Sequence, residues 1–433
     1  MRARDKAIWA NGRELDQEHS APGTDRRKST ALDHSLVDLI LKKLGCPNLE
    51  IILWDGTRLS KQHPGSHFTY HDELYIRNRG TLFQLIRNPE LHFGDLYSSG
   101  HIQLKGDLIR FFEIIYGSMN HASESRGPVK KFWSTLRSPK PRRNTLRNAQ
   151  THIHHHYDIS NDFYRLWLDN RHMQYTCAYY AQPDFTLEQA QEAKLEHVCR
   201  KLQLQPGETV VEAGCGWGGL ARYMAKHYGV KVKAYNISRE QVAYARQAAK
   251  EQGLDHLVEY VEDDYRNITG EYDVFVSIGM LEHIGAENMS VLGSTINRVL
   301  KQDGRGLIHS IGRNRPKLMN AWIEKRIFPG AYPPSISEMM EIFEPQDFSI
   351  LDIENLRLHY AQTLRHWLGR FDEHQALIEN MFDREFFRAW RLYLAGSVAA
   401  FTAGDLQLFQ ALFSRPTLNT MPLTRDHLYR TEK

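Results

Sequence analysis

Residues 209–219 read Thr-Val-Val-Glu-Ala-Gly-Cys-Gly-Trp-Gly-Gly. A β-type run feeds a turn of four glycines, and a helix-patterned segment follows with Leu220, Met224 and His227 on one face. Glycine lets the backbone come close to a ligand and lets the chain take φ > 0. A strand–glycine turn–helix unit holds a nucleotide-like ligand above the carboxyl end of its strand. The spacing Gly214-x-Gly216-x-Gly218 is not the dinucleotide pattern G-x-G-x-x-G, and no Gly-Lys-Ser/Thr follows to make a phosphate-binding Walker loop.

A chain of 433 residues has room for two or three domains. Its hydrophobic content of 41% is ordinary, and no run reaches the ~18 apolar residues that a membrane span requires. Met1–Ala10 is not followed by the apolar stretch of a signal peptide. Cys46, Cys177, Cys199 and Cys215 are scattered and form no disulfide framework, so a reducing cytoplasm is expected. The net charge of +3 says little, but its distribution says more. Residues 1–33 are polar and read as a disordered tail. Residues 126–147 carry eight basic residues and no acidic one, with Phe132 and Trp133 among them. This stretch reads either as a solvated linker or as a contact with an anionic membrane, where each basic group contributes about 1 kcal/mol. No stacking motif accompanies it, so nucleic-acid binding is not expected.

Residues 34–120 have their own pattern of helix and strand and read as a small α+β domain; residues 121–150 form the basic linker, and 151–433 the catalytic domain. From residue 151 onward strands and helices alternate. Val230–Tyr235, Val258–Glu262, Asp273–Ile278 and Gly306–Ile311 are β-like, and Ser238–Lys250 is a helix closed by Gly253. Such alternation predicts an α/β fold with a parallel sheet covered on both faces. Helical segments rich in large apolar groups, such as Phe387, Trp390 and Phe401, follow near the C-terminus.

Several polar residues fall where these strands end. The second strand closes on Tyr235-Asn236, without the Asp or Glu that usually takes ribose hydroxyls. Ser238-x-x-Gln241 is a helix-capping pattern that also puts Gln241 within reach of a ribose. Asp264-Tyr265 follows the third strand, either as an adenine-binding acid or as an ordinary loop acid. Glu282 and His309 follow the fourth strand and end the fifth; a buried Glu282 requires a partner. His152, His154, His155 and His156 are too tightly spaced to face one ion from one element, and no metal is expected.

Glu212 two before the first glycine, with the glycine spacing, resembles motif I of the S-adenosylmethionine (SAM) methyltransferases. Over residues 150–415 the chain resembles, more specifically, the cyclopropane-fatty-acyl-phospholipid synthases, the family that includes the mycolic acid cyclopropane synthases. The motifs are His156-Tyr-Asp-Ile-Ser-Asn-Asp162, Met173-Gln-Tyr-Thr-Cys-Ala-Tyr179, Gly214-Cys-Gly-Trp-Gly-Gly219, Gly279-Met-Leu-Glu-His-Ile-Gly285, Ile308-His-Ser-Ile-Gly312, Ile327-Phe-Pro-Gly330 and Asp405-Leu-Gln-Leu-Phe-Gln410 with Phe413-Ser-Arg415. The resemblance implies a Rossmann-like class I SAM-dependent methyltransferase sheet with a small N-terminal domain and helical C-terminal additions. It implies methylene transfer from SAM to the cis double bond of a phospholipid acyl chain. Bicarbonate would be the general base, at Cys177, Glu282, His309, Ile311 and Tyr360. SAM would lie against Tyr175, Thr176, Gly214, Gly216, Gln241, Asp264 and Tyr265, with Asn236 and Ser238 beside them. A free carboxylate would risk alkylation by the carbocation, which explains a bound base; aromatic faces of Tyr360, Tyr332 and Phe328 are candidates to stabilise that cation. The sequence departs from the family at Asn236, at Ser397 where a cysteine is common, and at residues 93–107, where the N-terminal motif is degraded.

The expected partner is an unsaturated phospholipid at an anionic membrane surface, with the protein cytoplasmic and peripheral, and a homodimer left open. Three alternatives stand beside cyclopropanation: an acyl-chain methyltransferase that leaves a methyl or methylene branch, a small-molecule N-methyltransferase, and a non-catalytic lipid-binding protein.

Overall fold

The computed structural model describes residues 27–44, 49–60, 72–124 and 160–429. The chain forms two compact units, each with its own sheet. One comprises residues 1–139, 320–327 and 364–405, and the other residues 140–319, 328–363 and 406–433.

In the first unit, β1 (Leu49–Ile52), β2 (Arg58–Ser60), β3 (Asp72–Ile76) and β4 (Ile102–Lys105) pair in the order β2-β1-β3-β4. Alternation places Leu74, Ile76, Ile102 and Leu104 in the core. Two expectations are corrected here. Residues 27–33 are not part of a tail: Thr30 and Asp33 form a capping box that starts the Ala31–Lys43 helix, and Trp54 Nε1 donates to the Arg27 carbonyl (2.7 Å). Residues 320–327 and 364–405 fold with this unit and not with the catalytic sheet. The Arg384–Thr402 helix buries Phe387, Trp390, Leu394, Val398 and Phe401. The amphipathic Leu108–Glu124 helix packs beside it, with Thr402 Oγ1 donating to Glu113 Oε1 (2.6 Å). Arg388 lies 4.2 Å from the centre of the Tyr97 ring and donates through Nε to the Tyr97 carbonyl (2.8 Å). The basic stretch 126–147, Cys46 and His152–His156 lie outside the described residues.

The second unit holds seven strands: β5 (Thr209–Ala213), β6 (Lys231–Asn236), β7 (Val258–Glu262), β8 (Tyr272–Ile278), β9 (Leu300–Gly312), β10 (Ser349–Asn355) and β11 (Gln407–Ser414). Their order is β10-β11-β9-β8-β5-β6-β7. β5 to β9 run parallel, as read from the sequence. The sheet is not wholly parallel, however, because β11 inserts antiparallel between β9 and β10. All eight residues of β11 are buried, which suits an interior strand packed on both faces. Neighbouring residues serve opposite faces. Val210 joins Leu195, Val198, Leu220 and Met224, whereas Val211 joins Phe275, Leu292, Ile296 and Ile308. Strand order reverses between β5 and β8, so a crevice opens beyond their carboxyl ends, where open α/β sheets bind ligands.

Candidate active site

The glycine turn sits at this reversal. Gly214 and Cys215 both donate their N–H to the Tyr235 carbonyl (2.8 and 3.1 Å), which folds the turn back over β6. Gly216 has φ +53°, and a Cβ added there would meet nothing within 4 Å. Gly218, at φ +75°, is different: an added Cβ would stand 2.5 Å from the Tyr260 ring. The turn is therefore closed against protein at Gly218 and open at Gly216, a cradle into which a ligand's atoms fit.

Asn236, which stands in place of the usual acid, is buried and joins the turn to the next helix. Its Nδ2 donates to the Gly216 carbonyl (3.2 Å) and to Gln241 Oε1 (2.8 Å). Ser238 Oγ accepts the Gln241 N–H (3.4 Å) as the cap of the Arg239–Glu251 helix. Asp264 is engaged as a loop acid: its Oδ1 accepts the Arg266 Nε–H and backbone N–H (2.7 and 3.0 Å), its Oδ2 accepts from Arg266 Nη2 (2.9 Å), and only Oδ2 retains a further lone pair. The buried Tyr265 hydroxyl has no hydrogen-bond partner.

Glu282 and His309 lie beyond β8 and at the end of β9. Glu282 Oε1 accepts the Ile311 N–H at 2.5 Å, so Ile311 contributes its backbone to holding this carboxyl. Burial raises the Glu282 pKa to about 7 against that hydrogen bond, and its Oε2 has no partner. His309 is 1% exposed, and burial followed by the charge of Lys194 pulls its pKa well below the ordinary value. Gln410 lies directly across from His309 on β11, and its Nε2 donates to His309 Nδ1 (3.0 Å). An amide NH₂ can only donate, so Nδ1 accepts and the neutral ring carries its proton on Nε2, which has no partner. Gln410 Oε1 is likewise unpartnered. In the sequence Gln410 has one signal, a polar residue inside the apolar run 408–413.

The remaining two predicted residues join through the register of the sheet. Ile311 pairs with Leu408, whose carbonyl accepts the Leu356 N–H (2.8 Å). The Leu356 carbonyl accepts the Tyr360 N–H (3.1 Å) and the Cys177 thiol (3.9 Å). Cys177 is fully buried, which pushes its thiol pKa up and keeps it neutral. Tyr332 donates its N–H to the Glu282 carbonyl (2.7 Å) and its hydroxyl to Glu338 (2.6 Å). The structure thus brings Cys177, Glu282, His309, Ile311 and Tyr360 to one end of the sheet, with Gln410 added.

Tyr175 packs against Tyr164 and Trp167, and Thr176 is held from behind by the Leu187–Leu202 helix. Gln191 Nε2 donates to the Thr176 carbonyl (2.8 Å), and Lys194 Nζ donates to Thr176 Oγ1 (2.9 Å). Lys194 was also missed by the sequence reading; its signal is a charge on the helix face shared by Leu187, Ala190, Leu195 and Val198. Among the described residues, no three His, Cys, Asp or Glu gather as a metal-ligand set.

The family model of mycolic acid cyclopropane synthetase matches residues 144–411. A protein named "Probable fatty acid methyltransferase" from Pseudomonas putida is 33% identical over 90% of this chain and 98% of its own length. The cyclopropane-fatty-acyl-phospholipid synthase of Escherichia coli (strain K12) is 40% identical over 62% of this chain and 69% of its own. Among solved structures, a mycolic acid cyclopropane synthase complexed with SAH and CTAB superposes with a TM-score of 0.58 at 29% identity, covering 61% of this chain and 98% of that one.

Proposed function

The chain belongs to the mycolic acid cyclopropane synthetase family, and from that membership we propose that it converts unsaturated acyl chains of membrane phospholipids into cyclopropane fatty acids, with bicarbonate as general base. It is a SAM-dependent methyltransferase, and the family's chemistry is cyclopropane or methyl transfer on fatty acyl chains. The observation that carries the finer reading is a pair of buried polar atoms without hydrogen-bond partners, Glu282 Oε2 just beyond β8 and His309 Nε2 near the end of β9. Buried polar groups left without partners are costly. A small ligand with both hydrogen-bond donor and acceptor oxygens would give partners to both.

When bound, SAM supplies an electrophilic methyl carbon, and bicarbonate supplies a base that a carbocation cannot permanently alkylate within the protein chain. Gly216 lets the backbone approach the nucleoside, and Asn236 fixes Gln241 beside it. Neutral His309 offers an Nε2–H to an anionic oxygen. Glu282, with its pKa near neutrality, can accept a hydrogen bond from a bound hydroxyl or share its proton. Burial of both groups excludes water that would capture a cation. Tyr360 and Tyr332 are themselves buried, and their ring faces are the aromatic surfaces we assign to a developing positive charge. The eight basic residues between 126 and 147 support docking on an anionic membrane. No helix among the described residues is long and apolar enough to cross one.

A second reading, methyl or methylene branching without ring closure, is favoured by the near end-to-end match to the Pseudomonas putida protein. Bicarbonate dependence tests the assigned base, because ring closure and methylene formation both release a proton from the transferred methyl. In CO₂-stripped buffer with phospholipid vesicles the rate should fall and recover when bicarbonate is restored, with S-adenosylhomocysteine affinity constant. A rate indifferent to bicarbonate removes the assigned base.

Gln410→Leu leaves His309 Nδ1 without a donor and frees the ring to change tautomer. Loss of one buried hydrogen bond at about 1–3 kcal/mol should lower kcat by about ten- to a hundredfold. S-adenosylhomocysteine affinity, read by calorimetry, should not change.

A further inference from the structure

We propose that Lys194 is a positioning residue for the methyl donor, acting through Thr176 to recognise the carboxylate of the donor's amino-acid end. This rests on the SAM site proposed above and adds to it a residue and a ligand group.

Lys194 is fully buried in the Leu187–Leu202 helix. Its ammonium donates to Thr176 Oγ1 (2.9 Å) and Gln174 Oε1 (2.5 Å). An ammonium has no acceptor, so the Thr176 oxygen must accept and its own hydrogen points away from Lys194. A Cβ at Gly279 would stand 3.0 Å from Thr176 Cγ2, and one at Gly214 would stand 2.8 Å from Met280 Cβ. Thr176, Gly279 and Gly214 therefore border the crevice between the ends of β5 and β8. Thr176 is presented to it as a donor polarised by the cation behind it.

The local charges point the same way. Groups that act on Lys194 are Asp169, Cys177 and Glu212, and Lys194 in turn acts on His172 and His309; Arg222 acts on Glu212 and His172. Asp169 is occupied by the backbone N–H groups of His172 and Gln174 (2.6 Å each). Burial raises Glu212 to about 7 and pushes Cys177 up, so neither thiol nor a full carboxylate balances the site near neutrality. Lys194 itself is lowered by burial to about 8 and remains largely cationic there. The Arg222 Nε–H is buried without a partner. Lys194 and Arg222 thus both act on the buried Glu212, and a carboxylate ligand at Thr176 brings a further negative group to the buried ammonium.

The test compares two nucleosides in calorimetry with the full-length protein. S-adenosylhomocysteine carries the amino-acid carboxylate, and 5′-methylthioadenosine lacks it. Lys194→Met should weaken S-adenosylhomocysteine by at least about tenfold, the scale of a charged hydrogen bond, while 5′-methylthioadenosine changes by less than about threefold. Thr176→Val, which keeps shape and removes the hydroxyl, should show the same selective loss. It carries the test should Lys194→Met fail to give a cooperative thermal transition. Equal loss for both nucleosides, or loss for neither, overturns the proposal. Wild-type protein that binds neither nucleoside would remove the cofactor site itself, and this proposal with it.

Discussion

Glu282→Gln is expected to lose about 10²- to 10⁴-fold in turnover, the range for a positioned acid–base group, while binding S-adenosylhomocysteine as the wild type does. Gln retains an oxygen for the Ile311 N–H, so the local backbone is preserved. What it loses is the proton-accepting oxygen. The same change should stabilise the fold at alkaline pH. Glu282 is raised from 4.5 to about 7 by burial, so its contribution to stability is fully present below pH 4.5 and is lost as pH rises through about 7. At about 1.4 kcal/mol per pH unit, that gap is on the order of 3 kcal/mol. Urea denaturation should therefore find the variant more stable than the wild type at pH 8, with the difference closing near pH 5. A variant that is active, or that is no more stable at pH 8, would mean that Glu282 is not the buried acid described above.

The glycine turn gives the second large effect, because its two glycines fail differently. Gly216→Asn should fold with a Tm close to the wild type, since asparagine tolerates the left-handed region that φ +53° requires. Its side chain fills the open cradle, and S-adenosylhomocysteine affinity should drop by at least about a hundredfold, the scale of losing several backbone contacts. Gly218→Ala should instead damage the fold. Its Cβ would stand 2.5 Å from the Tyr260 ring at φ +75°, and overpacking with left-handed strain should cost about 2–4 kcal/mol in urea denaturation. Equal ligand loss without destabilisation in both variants would contradict the distinction between an open and a closed side of the turn.

These residues also show what the sequence made legible. The strand–turn–helix unit, the Ser238 cap and the placement of Glu282 and His309 near strand ends follow from local pattern. Hydrophobic alternation and capping chemistry act over a few residues. β11 was not legible as a strand, because eight consecutive buried residues have no period that separates a strand from a buried helix. Gln410 and His309 meet only through β11 register, 101 residues apart in sequence. Residues 320–327 and 364–405 were assigned to the wrong unit for a similar reason: an amphipathic helix announces an apolar face but not what covers it. The gathering of Cys177, Ile311 and Tyr360 was available to the sequence only through family resemblance, and the backbone links at Leu356 and Leu408 now give it a physical basis.

Ring closure is the central claim, and the fate of the transferred methyl hydrogens tests it most directly. The protein is incubated with SAM carrying a fully deuterated methyl group and with vesicles of an unsaturated phospholipid, and the released fatty acids are read by mass spectrometry and for residual alkene. Cyclopropanation predicts a product that keeps two of the three deuterons and has no alkene. A product that keeps all three deuterons, or one that keeps two and retains an alkene, would contradict the account and assign the chain to methyl or methylene branching.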